Sequence, residues 1–141
     1  MKHILDSSVA FKWGVTEADS DKAQRLRDES KRGLLELHSP DVFPVELAHS
    51  MTRAERQGRV STSQGLGIWL GIMADAPVLH PDLPLLPRAY SISSALRIGL
   101  YDCLYVALAE VEGCELITAD MRLITNLQSR FPFIVPLSDF P

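Results

Sequence analysis

The chain has 141 residues and 15.7 kDa, of which 46% are hydrophobic and 23% charged. This length suits one domain, and the composition excludes intrinsic disorder, which requires low hydrophobicity together with a large net charge. The net charge of −4 argues against a protein that coats nucleic acid without specificity, because such proteins usually carry a basic excess.

No targeting segment is visible in the sequence. The first acidic residue, Asp6, follows only two apolar residues, and the longest uncharged stretch, 60–74, is too short and too polar to span a membrane. Cys103 and Cys114 are too few for a disulfide framework, and on one helix they would lie about 16 Å apart, too far for a bridge. We therefore expect a cytoplasmic protein without membrane contact.

Strands and helices alternate along the sequence. The predicted elements in chain order are strand 3–5, helix 17–32, strand 34–38, helix 42–56, helix 61–76, strand 78–79, helix 88–98, helix 102–113, strand 115–118, a short helix ending near 128 and strand 133–135. This alternation predicts an α/β fold with a mainly parallel sheet. Ligands bind such sheets beyond the carboxyl ends of the strands.

Two of the predicted helices carry informative patterns. The helix 42–56 has an apolar stripe at helical spacing and a separate polar face. The stripe is Phe43, Leu47, Met51 and Ala54, and the polar face is Glu46, His49, Ser50 and Arg53. The helix 61–76 contains three glycines, which are costly inside a helix and therefore predict close packing against another element. They are Gly65, Gly67 and Gly71.

Four acidic residues stand where a parallel sheet would bring them together. Asp6 and Asp120 each follow a predicted strand, and Asp102 and Glu46 each stand near the start of a predicted helix. Strand ends and helix starts meet at one edge of a parallel sheet, so we expect the four carboxylates to converge there.

Converging carboxylates repel one another by about 1 kcal/mol at 4 Å in water and about 4 kcal/mol at an effective dielectric of 20. A hard divalent cation relieves this repulsion, and Mg²⁺ accepts both carboxylate and phosphate oxygens. Such a site suits hydrolysis of a phosphodiester. Two hydroxyls, Ser7 and Thr118, flank the acids and could orient carboxylate, water or phosphate. The candidate phosphate contacts are Lys12, Arg53, Arg97 and Arg122.

Each acid also has a structural interpretation. Asp6 is a common type of turn residue after a strand, and Asp102 and Asp120 are good helix caps. Glu46 in a first helical turn meets the positive end of the helix dipole. A cap can still bind a cation through its second carboxylate oxygen.

Four segments of the sequence resemble the motif blocks of PIN-domain proteins, in the family's order and at its usual length. They are ILDSSVAFKW at 4–13, FPVELAHS at 43–50, YDCLYVALAE at 101–110 and LITADMRL at 116–123. More narrowly, the chain resembles the VapC toxins of bacterial and archaeal type II toxin–antitoxin systems.

This resemblance implies a single PIN domain over residues 1–141, a three-layer α/β/α fold with a mainly parallel central sheet. It implies a Mg²⁺- or Mn²⁺-dependent endoribonuclease that cuts structured RNA such as tRNA or rRNA and stops translation. The implied partners are a second copy of the chain and a VapB-type antitoxin, through which alone DNA would be bound. The implied catalytic and metal residues are Asp6, Glu46, Asp102 and Asp120, supported by Ser7 and Thr118.

Several residues depart from the family pattern or leave alternatives open. His49 stands where Asn is common in relatives, and it either contacts the site or faces solvent. Cys103 stands where Ala or Ser is common, and we interpret it as a small buried hydrophobe. Trp13 and Trp69 suit either RNA base stacking or packing, and the uncharged segment 65–74 suits a dimer or antitoxin interface.

Two rival functions remain at this stage. A phosphatase could use Asp6 as its nucleophile, but the haloacid-dehalogenase pattern places a second Asp two positions on, where this chain has Ser8. A non-catalytic module could instead bind its antitoxin and act as a co-repressor on DNA. The intact acidic set argues against that second alternative.

Overall fold

The computed structural model describes residues 1–141 as a five-stranded sheet between two layers of helices. The strands are β1 (Lys2–Leu5), β2 (Glu36–Pro40), β3 (Val78–His80), β4 (Glu115–Thr118) and β5 (Ile134–Pro136). The helices are α1 (Ser7–Phe11), α2 (Ser20–Lys31), α3 (Phe43–Arg56), α4 (Gly65–Met73), α5 (Leu86–Leu96), α6 (Leu100–Glu112) and α7 (Met121–Leu127), with short 3₁₀ turns at Leu83–Leu85 and Leu137–Asp139.

The sheet has the strand order β3-β2-β1-β4-β5, and every neighbouring pair is parallel. The central strand β1 pairs with β2 on one side and β4 on the other, so His3 lies opposite both Leu37 and Glu115. The predicted α/β fold with a parallel sheet is confirmed. The carboxyl ends of β1 and β4 therefore lie side by side at one edge of the sheet.

Each face of the sheet has its own hydrophobic core. Helices α1 to α4 supply the core on one face and α5 to α7 the core on the other, so three layers are present. The predicted apolar stripe of α3 is buried in the first core. The second core is built largely from α6, whose residues 103–109 are all buried because the helix is apolar nearly all round.

Helix α1, which directly follows β1, was not predicted from the sequence. It has only five residues, too few for a helical repeat to show, and Asp6 before it reads as a turn. Its stability comes from tertiary packing, because Val9, Ala10 and Phe11 are buried in the core with α3. This short helix turns the chain so that Asp6 stays at the sheet edge.

Strand β2 lies two residues further along than predicted. The predicted strand ends at residue 38, but Ser39 and Pro40 also belong to the strand. Ser39 is fully buried, and its hydroxyl donates a hydrogen bond to the Leu5 carbonyl. That bond satisfies the polar side chain inside the sheet, which sequence polarity alone does not reveal.

Close packing was predicted for all three glycines of α4, and the structure supports it at only one. A Cβ on Gly65 would lie 1.9 Å from a carboxylate oxygen of Glu55, whereas at Gly67 and Gly71 it would meet open space. The prediction was wrong at those two positions because they face solvent. Helix α4 therefore packs with one face and leaves the other uncovered.

No helix combines the length and apolar character that a membrane crossing needs. Both cysteines are free.

Candidate active site

The four predicted acidic residues line one cavity of about 510 Å³ at the carboxyl edge of the sheet. Asp6 directly follows β1 and Asp120 lies two residues beyond β4, which explains their proximity. Glu46 and Asp102 enter from the first turns of α3 and α6. The cavity thus gathers residues separated by as many as 114 positions in the sequence.

Asp6 is held at the cavity by two hydroxyl groups. Its side chain is buried, and its Oδ2 accepts hydrogen bonds from Ser8 Oγ and from Thr118 Oγ1, the latter at 2.9 Å. Both donors engage the same oxygen, so Oδ1 has no hydroxyl donor. The carboxylate is therefore oriented by the fold while one oxygen stays available to a ligand.

The same two hydroxyls tie the ends of β1 and β4 together. Ser8 Oγ accepts a hydrogen bond from the Ala119 amide at 3.0 Å, and Thr118 Oγ1 accepts one from the Asp120 amide at 3.0 Å. Thr118 therefore takes the supporting position expected of it. The second orienting hydroxyl is Ser8, which the sequence analysis did not assign to the site, whereas Ser7 lines the cavity without bonding to Asp6.

Helix capping applies to Asp120 and not to Asp102. Asp120 Oδ1 accepts a hydrogen bond from the Arg122 amide at 2.9 Å, so it caps α7 through one oxygen. Helix α6 begins earlier than predicted, with Gly99 in the capping position, and Asp102 makes no cap. Capping therefore does not account for the Asp102 carboxylate, which faces the cavity.

Burial and mutual repulsion raise the pKa of three of the acids. Burial, followed by the charge of Asp6, raises the pKa of Glu46 to about 7 and that of Asp102 to about 6. Burial also raises the pKa of Asp6, aided by the charge of Asp120 and opposed by the hydrogen bonds from Ser8 and Thr118. The cavity therefore favours protons or cations as counter-charges.

One carboxylate oxygen of Glu46 is buried without a partner. Its Oε1 is buried without a hydrogen bond of normal geometry, and so is the hydroxyl of Tyr105 beside it. A buried charged oxygen without a partner costs free energy unless something neutralises it. An all-oxygen donor set with an orphaned carboxylate oxygen fits a hard divalent cation.

The spacing of the carboxylates favours a hydrated ion. No three of the four acids bring oxygens within 4.8 Å of one another. Mg²⁺ commonly binds through one or two carboxylates and keeps several waters, so it does not need a dry cage. This arrangement leaves coordination positions for water and a phosphate oxygen.

Two of the four predicted basic contacts border the cavity and two do not. Arg53 and the largely exposed Arg122 line it. Lys12 is a correction, because its ammonium pairs with Glu17 at 3.2 Å and its side chain is only 10% exposed. Arg97 does not line this cavity but a neighbouring one of about 230 Å³ that shares Asp102 and Arg122, so its contact with phosphate stays a prediction.

The exposure of the remaining candidate residues shows whether each faces the cavity or the core. His49 is exposed on the cavity wall, so it faces solvent and the site at once. Cys103 is fully buried, and burial raises its pKa to about 11, so it is an apolar thiol. Both tryptophans serve packing: Trp13 Nε1 donates to the Ala23 carbonyl and Trp69 Nε1 to the Pro44 carbonyl.

The aromatic side chain that borders the cavity is Tyr101, which is 60% exposed. Sequence analysis assigned it no role, although it directly precedes Asp102. An exposed aromatic ring at the rim of an open cavity has the geometry that stacking on a nucleic-acid base requires.

Replacing Ser8 with alanine should lower the free energy of unfolding by about 1–2 kcal/mol, because the buried Asp6 oxygen and the Ala119 amide each lose a partner. Denaturant unfolding in the presence of a chelator measures this change. Ser94→Ala, on the exposed face of α5, is the matched control and should shift stability by less than about 0.5 kcal/mol. Equal effects of the two substitutions would contradict the assigned network.

With this geometry in view, comparison with known proteins identifies the fold and family. The PIN domain model matches residues 3–126. The crystal structure of PAE2754 from Pyrobaculum aerophilum superposes with a TM-score of 0.71 at 18% identity, covering 98% of this chain and 85% of that one. The chain belongs to the PIN-domain family.

Its closer similarities are to VapC proteins. Ribonuclease VapC9 of Mycobacterium tuberculosis is 32% identical over 127 residues, which cover 86% of this chain and 96% of that protein. The structure of VapBC2 from Rickettsia felis bound to a promoter DNA fragment superposes with a TM-score of 0.66 at 12% identity, covering 96% of this chain and 97% of that chain. Within the family, the chain is of the VapC type.

Proposed function

We propose that this chain is a metal-dependent endoribonuclease, the toxin of a VapBC-type system, which hydrolyses RNA phosphodiester bonds and thereby inhibits translation. The observation that carries the proposal is the gathering of four carboxylates from four elements around one open cavity. The relatives named ribonuclease VapC support the same activity. The whole chain, residues 1–141, would act as one PIN domain.

The proposed cofactor is Mg²⁺ or Mn²⁺, held by Asp6, Glu46, Asp102 and Asp120 either directly or through its bound waters. When bound, such a cation would neutralise the scissile phosphate and make a neighbouring water more acidic. Asp6 is the most firmly oriented of the four, because Ser8 and Thr118 fix its carboxylate. Carboxylates fixed before the substrate arrives need little reorganisation during the reaction.

Glu46 is the proposed general base. Its buried Oε1 makes no hydrogen bond within the chain, so it is available to accept a proton from a water in the cavity. In the proposed step a water oxygen attacks phosphorus, its proton passes to a Glu46 carboxylate oxygen, and the bond from phosphorus to the 3′ oxygen breaks as that oxygen takes a proton from solvent water. The products are a 5′-phosphate and a 3′-hydroxyl.

The substrate would be held by few basic groups. Arg53 and Arg122 border the cavity, and the overall charge of −4 gives little general attraction for RNA. Selection of a structured RNA such as tRNA or rRNA would then depend on shape, on these two side chains and on stacking at Tyr101.

Replacing Arg53 with glutamine should weaken RNA binding and reduce the slope of log affinity against log salt by about 1, because one phosphate contact is lost. Binding of a catalytically inactive background variant to RNA, titrated over a range of salt, measures the slope. Arg25→Gln is the matched control, since that exposed arginine lies on α2 away from the cavity. An unchanged slope in Arg53→Gln would remove this residue from the substrate contacts.

The proposed protein partners are a VapB-type antitoxin and a second copy of the chain, in a cytoplasmic setting. Exposed apolar side chains on neighbouring helices support such contacts: Val45 on α3 is 70% exposed, and Leu66 and Leu70 on α4 are 68% and 55% exposed. DNA would be reached only through the antitoxin. The VapBC2 relative bound to promoter DNA supports that arrangement.

The chemistry of the cut ends tests the proposed reaction. The purified chain should cleave structured RNA in Mg²⁺ or Mn²⁺, leaving 5′-phosphate and 3′-hydroxyl ends that mass spectrometry of the fragments identifies. Fragments ending in a 2′,3′-cyclic phosphate would show attack by the ribose hydroxyl, and would overturn the assignment of water as the nucleophile.

A further inference from the structure

A second group of potential metal ligands lies outside the acidic cavity, on the face of the sheet that α6 covers. His38 in β2, His80 at the end of β3 and Glu112 at the end of α6 bring ligand atoms within 4.8 Å of one another. Ten residues of α6 separate Asp102 from Glu112, which is about 15 Å along the helix axis. The two sites therefore occupy opposite ends of the same helix.

The distances in this cluster are close to those of a metal site. His38 Nδ1 lies 2.8 Å from His80 Nε2, and His80 Nε2 lies 3.9 Å from Glu112 Oε1. Ligands bonded to a tetrahedral zinc at about 2.0–2.1 Å lie about 3.3 Å from one another. Shifts of roughly half an ångström, within the reach of side-chain rotation, would bring both distances to that value.

His38 is oriented as a metal-binding histidine would be. Its side chain is buried, its Nδ1 points into the cluster, and its Nε2 has no hydrogen-bond partner. The Glu36 carboxylate lies 3.9 Å from that Nε2. A metal on Nδ1 would leave the ring proton on Nε2, which faces the Glu36 carboxylate. A carboxylate opposite the second ring nitrogen commonly fixes the orientation of a metal-bound imidazole.

A lysine already balances the charge of Glu112. The Lys2 ammonium lies 3.1 Å from Glu112 Oε1 and supplies the positive charge there. A divalent cation would replace the ammonium, and the partly exposed lysine side chain would move into solvent.

We propose that His38, His80 and Glu112 form a second metal site, selective for a transition-metal cation of the Zn²⁺ type and distinct from the carboxylate cavity. Two imidazoles and one carboxylate are a common zinc donor set, whereas Mg²⁺ prefers oxygen ligands alone. Bound zinc would join β2, β3 and α6, and its effect would be on the stability of the fold.

Calorimetric titration of the chelator-treated chain with Zn²⁺ tests this proposal. With excess Mg²⁺ present to occupy the carboxylate cavity, we expect one Zn²⁺ per chain in the wild type and in Asp6→Asn, which alters that cavity. His80→Gln and Glu112→Gln should each lower the affinity at least about tenfold. Asp28→Asn, which changes an exposed carboxylate on α2 outside both sites, should bind as the wild type does. Co²⁺ in place of Zn²⁺ should give the visible absorption of a tetrahedral site.

Thermal unfolding supplies an independent readout. At a Zn²⁺ concentration of about 100 times the wild-type Kd, the Tm of the wild type should rise by about 8 °C, and that of His80→Gln by at most about 4 °C, because a site weakened tenfold is then at only about 10 times its own Kd. Zinc affinity that is lost in Asp6→Asn but kept in His80→Gln would assign the ion to the carboxylate cavity and overturn the proposal. Absence of zinc uptake by the wild type would overturn it equally.

Discussion

Asp6→Asn should lower the rate of RNA cleavage at least about 100-fold while the chain remains folded. The substitution keeps the shape of the side chain and keeps an oxygen that can accept from Ser8 and Thr118. It replaces the anionic oxygen that faces the cavity with an amide, which cannot bind a cation. The loss should therefore fall on catalysis.

The same substitution should leave stability unchanged or raise it by about 1 kcal/mol in the presence of a chelator. The charge of Asp6 is buried, and its removal relieves the repulsion that raises the pKa of its neighbours. A gain in stability together with a loss of activity is typical of a residue placed for function.

Cleavage rates and denaturant unfolding, measured on the same preparation, separate the two effects. Asp28→Asn, an exposed aspartate on α2, is the matched control and should cleave RNA at the wild-type rate. An Asp6→Asn variant that is destabilised and still active would show that Asp6 is structural.

The second large effect is on the pH dependence of stability. In chelator-treated protein, the free energy of unfolding should fall between about pH 5 and pH 8, and Glu46→Gln should reduce that fall by about 2 kcal/mol. The folded pKa of Glu46 is about 7 against an ordinary value of 4.5. The folded chain therefore binds more protons than the unfolded chain in this range, and its stability decreases as the pH rises through the folded pKa.

Unfolding curves of the wild type and Glu46→Gln at several pH values isolate this contribution, because the buried histidines titrate equally in both. Addition of Mg²⁺ at pH 8 should restore stability to the wild type, since the cation replaces the lost protons, and should restore less to the variant. Parallel profiles for the two proteins would contradict the raised pKa of Glu46.

The sequence sufficed for the fold class and for the position of the four acids. Periodicity located α3, a nearly continuous apolar run located α6, and the strand ends placed Asp6 and Asp120 at one edge once a parallel sheet was assumed. These features depend on local patterns and on a general property of α/β sheets, so they can be predicted from the amino-acid sequence.

What the sequence did not reveal depends on contacts between distant elements. Ser8 and Ser7 look alike in the sequence, and only the packing of α1 against β4 shows which hydroxyl reaches Asp6. The sequence predicted a phosphate contact for Lys12, but in the structure its ammonium forms an ion pair with Glu17.

The end of α5 and the histidine cluster show the same limit. Gly99 was the expected end of that helix, yet Arg97 adopts the left-handed conformation, with φ of 56°, and ends it two residues earlier. His38, His80 and Glu112 are separated by at least 32 positions and carry no shared local pattern. Tertiary structure alone assembles such features.

The central claim is that the carboxylate cavity cleaves RNA only with a divalent cation. Its most direct test is the cleavage rate of chelator-treated wild type and Asp102→Asn as Mn²⁺ is added back. We predict no cleavage before addition, saturable recovery in the wild type, and a rate at least about 100-fold lower in the variant. Cleavage that persists in the chelator, or that is equal in the two proteins, would contradict it.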